Sequence, residues 1–130
     1  MLDPENPEST HGYEPEDWQK AKAQATAHLV SVAKRQDWET YGELVKEIDA
    51  ISFAPNDFAV AALVGQISRE EYYAGRGMLT AIVVHKYGDK MPGKGFYKLA
   101  RYLGLDISDK EALWVSETKK VWNYWKNQRG

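Results

Sequence analysis

One short run, Leu79-Thr80-Ala81-Ile82-Val83-Val84, limits what this chain can fold into more than any other stretch. Its β-branched, apolar composition suits a pleated and buried surface, which predicts a strand. Gly75 and Gly77 flank Arg76 just before it, and Tyr87-Gly88-Asp89-Lys90 closes it with turn residues. Met91-Pro92-Gly93-Lys94-Gly95-Phe96 then leads into an amphipathic helix. With a single strong strand signal, the rest of the core has to come from helices. The expected class is α+β, mostly helical, with a small two- or three-stranded sheet.

The helical signals surround that run. Trp18, Ala21, Ala25, Leu29 and Val32 recur at spacings of three and four, which predicts a first helix over residues 18–36 with Asp17 as its N-cap. Asp37-Trp38-Glu39 reads as an extended connector. Thr40 and Glu43 have capping-box spacing and open a second helix over residues 41–49. Asn56 or Asp57 caps a third helix, which carries Phe58, Ala61, Ala62, Leu63, Val64 and Ile67 and frays over residues 68–75. A fourth helix spans residues 95–103, with Phe96, Leu99, Ala100 and Leu103 inward and Gly104 at its C′ position. Ser108 and Glu111 repeat the capping-box spacing and open a last helix that ends near Lys126. Its aromatic stripe of Trp114, Thr118, Val121, Trp122 and Trp125 suits either core packing or a homodimer seam.

Composition narrows the function classes. At 130 residues the chain is one domain with one core. The absence of cysteine excludes disulfides, thiolate metal sites and cysteine nucleophiles, and it fits a reducing cytoplasm. No apolar run approaches a membrane span, so no membrane partner is expected. The net charge of −2 is unevenly placed: residues 1–17 hold six of the 19 acids and none of the 17 Lys and Arg residues. Residues 1–16, with Pro4, Pro7 and Pro15, read as a disordered acidic arm, and residues 17–130 as the globular domain. Without residues 1–17 the remainder holds 13 acids against all 17 bases, about +4. Such an arm either aids solubility or weakens binding of polyanions to the body.

The order of helices, strand and turn resembles a winged helix-turn-helix. Thr40-Tyr41-Gly42-Glu43-Leu44 resembles the TYGEL entry to the DNA-binding domain of alkyltransferases and alkyltransferase-like proteins. Ala62-Leu63-Val64-Gly65 is loosely similar to that family's RAVG helix, and Ile82-Val83-Val84-His85-Lys86 stands where the family has IPCHR. The resemblance implies a DNA-binding fold. It does not imply alkyl transfer, because Val84 replaces the nucleophilic cysteine. The stretch from Gly75 to Ala100 also resembles small bacterial and phage proteins of unassigned function.

These readings set the candidate residues. Arg69, Arg76, Lys86, Lys90, Lys94, Lys98 and Arg101 are the expected nucleic-acid contacts, through the third helix, a wing around residues 87–90 and the glycine loop. Gly88, Gly93 and Lys94 match the glycine and lysine spacing of a P-loop, but Gly95 stands where that motif needs Ser or Thr. Arg76 between glycines reads as a solvated arginine on a hinge. His85 at the strand end could serve as a general base but lacks an obvious partner in sequence, His28 reads as a boundary residue beside the first helix's apolar stripe, and Glu43 has a structural use as a cap. No catalytic residue, metal site or cofactor follows. The expected function is a non-enzymatic nucleic-acid-binding module. The alternative is an interaction module that binds a host protein through the aromatic helix and the acidic arm.

Overall fold

The structure, a computed structural model, describes residues 9–54, 57–85 and 91–128. Five helices and one two-stranded sheet are present among them: α1 (Pro15–Lys34), β1 (Glu39–Thr40), α2 (Tyr41–Lys46), α3 (Phe58–Tyr73), β2 (Val83–Val84), α4 (Lys94–Tyr102) and α5 (Lys110–Lys126). No helix among the described residues is long and apolar enough to cross a membrane.

The first helix begins earlier than the caps suggest. Glu14 is the N-cap in extended backbone and Pro15 occupies the first turn, where its fixed φ and missing N–H suit a helix start. Asp17 therefore lies inside the first turn, where its charge meets the positive end of the helix dipole. The residues before it are also part of the domain. Tyr13 stacks on Trp18 at 5.8 Å, and the Ser9 carbonyl accepts a hydrogen bond from Gln66 at 2.7 Å. Of the segment expected as a disordered arm, Ser9 and Tyr13 contact the core and residues 14–16 open α1, while residues 1–8 lie outside the described set.

α3 is the central helix. Ten of its 16 residues are buried, it runs unbroken to Tyr73, and Asp57 caps it by accepting from the Ala59 amide at 3.0 Å. One apolar cluster joins α1, α2 and α3 around Trp18, Leu29, Leu44 and Leu63. A second joins Met78, Phe96, Leu99 and Leu113 on the α4 side. At 0% exposure, Trp18 is buried with its indole N–H satisfied by Gln66 at 2.9 Å.

The predicted strand is mostly something else. Leu79–Ile82 forms a 3-10 turn, and only Val83–Val84 is strand. All six residues are buried, so the composition reports burial correctly. Their backbone groups find partners outside a ladder: the Ala81 amide donates to the Met78 carbonyl at 2.9 Å, and the Ala81 carbonyl accepts from the Trp114 indole at 2.8 Å. β2 pairs with β1 in parallel, Glu39 opposite Val83 and Thr40 opposite Val84. A parallel pair needs a crossover, here supplied by α2 and α3, whereas a wing hairpin would be antiparallel. The expected wing residues 87–90 lie outside the described set.

The capping box at Thr40 and Glu43 forms as predicted, although α2 ends at Lys46. At α5 the cap is Asp109, whose carboxylate accepts from the Ala112 amide at 3.0 Å, in place of Ser108. The buried line of α5 is Leu113, Glu117, Thr118 and Val121. Its tryptophans flank that line and serve this chain's own fold: Trp122 donates to the Asp37 carbonyl at 3.1 Å and meets the Trp38 ring at 4.7 Å.

Candidate nucleic-acid interface and adjoining cavity

α4 owes its two faces to the spacing of its residues. Phe96, Tyr97, Leu99 and Ala100 are buried, while Lys94, Lys98, Arg101 and Tyr102 are exposed. The helix closes on Gly104 at φ +88°, with the Gly104 amide donating to Arg101 at 3.0 Å and the Leu105 amide to Ala100 at 2.9 Å. Glycine adopts this left-handed conformation without a Cβ clash. No acidic residue lies on the helix, so its outer face is a row of three positive charges.

Arg69 reaches the far end of that row from α3. Its guanidinium lies 5.4 Å from the Tyr73 ring centroid and 5.0 Å from that of Tyr102. The acids beside it in sequence are committed elsewhere. Glu70 pairs with Lys22 at 2.8 Å, and Glu71 grips Arg76 through two hydrogen bonds of 2.8 and 2.7 Å. Arg69 forms no ion pair among the described residues, and its Nη1 is buried without a hydrogen-bond partner.

The near end of the row borders a cavity of about 420 Å³. Ala61, Val64 and Leu99 give it apolar walls, and Tyr41, His85 and Lys94 stand among its polar lining. The Tyr41 hydroxyl accepts from the Gly93 amide at 3.3 Å, and its ring lies 5.1 Å from the His85 ring. Burial pushes the Tyr41 phenol above its ordinary value, partly offset by that amide. A Cβ at Gly93 would sit 3.1 Å from the Tyr41 hydroxyl and 3.3 Å from His85 Nε2, so close approach explains this glycine.

Of the seven expected contacts, the five that are described do not converge on one place. Lys94, Lys98 and Arg101 share α4, and Arg69 joins them through Tyr102. Lys86 and Lys90 lie outside the described residues. Arg76 sits apart, beside α5, where its guanidinium is 6.0 Å from the Trp125 ring. The Glu71 carboxylate holds it protonated well above the ordinary range. Gly75, at φ +82°, closes α3 as Gly104 closes α4. The structure adds Tyr73 and Tyr102, which no sequence pattern marked. It also gives His28 a partner: its imidazole pairs with Glu39 and lies 3.8 Å from Glu47.

No family model, curated protein or solved structure matches this chain.

Proposed function

We propose that this protein is a non-enzymatic nucleic-acid-binding module whose contact surface is the outer face of α4. The observation that carries the reading is the row of Lys94, Lys98 and Arg101 on a helix without acidic residues, with Arg69, which forms no ion pair among the described residues, at its end. Phosphate contacts dominate the affinity of such modules. α3, buried on most of its surface, supports the interface from behind and does not enter a groove. The order of α1, α2 and α3 before β2 is what favours a winged-helix-like arrangement, although the β1–β2 pair is parallel and is not itself a wing hairpin.

The test is binding of a labelled oligonucleotide across a salt series. Four phosphate contacts predict that log K falls against log salt with a slope of about −3 to −4. Lys98→Glu together with Arg101→Glu should abolish binding while leaving the melting temperature unchanged. Failure of the native chain to bind any oligonucleotide at low salt sinks the reading.

A second reading is a module that docks on another protein. It is favoured by Trp38, 44% exposed, which lies beside the Trp114 and Trp122 rings. Binding through that patch would be insensitive to salt, in contrast to binding along α4.

A further inference from the structure

We infer that the Tyr73–Arg69–Tyr102 cluster is a stacking platform for nucleobases, so that the module selects unpaired strands over duplex. This rests on the nucleic-acid reading above and specifies its ligand. Two tyrosines and an arginine on two different helices meet at one surface spot. Tyr73 is 62% exposed and Tyr102 42%, large apolar rings that a folded chain gains nothing by leaving in water. The guanidinium between them is within cation–π distance of both. It therefore fixes the tyrosines as flat, preset surfaces and adds a positive charge that no carboxylate neutralises among the described residues.

The geometry suits a strand lying along α4. From Lys94 to Arg101 the helix rises about 10 Å, at ~1.5 Å per residue. Charge on one strand of a stacked helix recurs about every 3.4 Å of its axis, and successive phosphates lie farther apart than that along the backbone, so the row matches a short run of adjacent phosphates. A strand held there by its backbone brings its bases to the cluster at the C-terminal end of the helix. In a duplex, both faces of each base are already covered by neighbours and the edges are paired, so exposed tyrosine rings add nothing. In a single strand the bases are free to turn onto the rings, and such stacking tolerates any sequence. RNA and DNA strands share this chemistry.

The experiment is fluorescence anisotropy of the full chain with labelled twelve-nucleotide dT and rU strands and a twelve-base-pair DNA duplex at one low salt concentration. The expected result is tighter binding of the single strands than of the duplex by about tenfold, the scale of one stacked base. The dT and rU arms show which sugar is preferred. Tyr102→Ala should remove most of that advantage without changing duplex affinity, whereas Tyr102→Phe should keep it. Equal or tighter binding of duplex, lost on charge reversal at Lys98 and Arg101, would overturn the platform and leave the module intact. An unaltered single-strand affinity in Tyr102→Ala would also overturn it. No binding to any of the three ligands would remove both readings together. Because Tyr102 is exposed, the variants should fold normally, and thermal melts check this.

Discussion

Glu117 is 2% exposed, yet it is a carboxylate in the middle of α5. One oxygen accepts from the Met78 amide at 3.2 Å and the other from Lys120 Nζ at 2.9 Å. The side chain thus caps the corner before the 3-10 turn from a distant helix. Glu117→Ala leaves the Met78 amide buried without a partner and should cost about 1–3 kcal/mol. Glu117→Gln keeps an acceptor and should cost clearly less, which urea unfolding of both variants would resolve. Gln36 offers the opposite opportunity. It closes α1 in the left-handed region at φ +56°, with its amide on Ala33 and that of Asp37 on Val32. This is the position that glycine fills at Gly75 and Gly104. Gln36→Gly should therefore stabilise the fold by roughly 0.5–1 kcal/mol, read as a higher urea midpoint at unchanged m-value.

Among the elements, β1 carries a titration that can be read. Glu39 is buried, and desolvation raises its carboxyl above the ordinary value against the opposing pull of the His28 imidazole, with Glu43 adding to the rise. A carboxyl that holds its proton more tightly when folded adds stability below the ordinary glutamate range. That contribution disappears as pH rises through the raised value. The unfolding free energy of the native chain should therefore fall relative to Glu39→Gln as pH rises above the ordinary glutamate range. Identical pH profiles for the two would refute it. The elements also differ in how far they were legible. The Thr40–Glu43 box is local and was read correctly, because four residues contain the whole interaction. At residues 108–111 two adjacent residues suit the cap, and only the backbone geometry selects Asp109. Leu79–Val84 was legible as buried but not as a 3-10 turn, because its partners, Ser68 and Trp114, lie on other helices. The basic face of α4 followed from Phe96, Leu99 and Lys98 alone. The Arg69 stack did not, since Tyr102 is 33 positions away and meets it only through the packing of α3 on α4. The cavity, built from α2, α3 and the loop before α4, was hidden for the same reason.

For the molecule as a whole, the boundary of the domain decides how it should be trimmed. Cutting at Trp18 removes the Tyr13 stack and the Ser9–Gln66 hydrogen bond, and it should lower the melting temperature by several degrees. Cutting after Glu8 keeps both contacts and removes Asp3, Glu5 and Glu8, which moves the net charge from −2 to +1. That shorter chain should bind oligonucleotides more tightly at low salt, with the difference vanishing at high salt. The parallel pairing of Glu39 with Val83 has a kinetic consequence. The paired positions are 44 residues apart, so closing that loop costs chain entropy which two short strands repay poorly. The pairing therefore belongs to the end of folding, once α2 and α3 have brought its halves together. It acts as a latch on the finished molecule: weakening it at Val83 should quicken unfolding and leave the refolding rate nearly untouched.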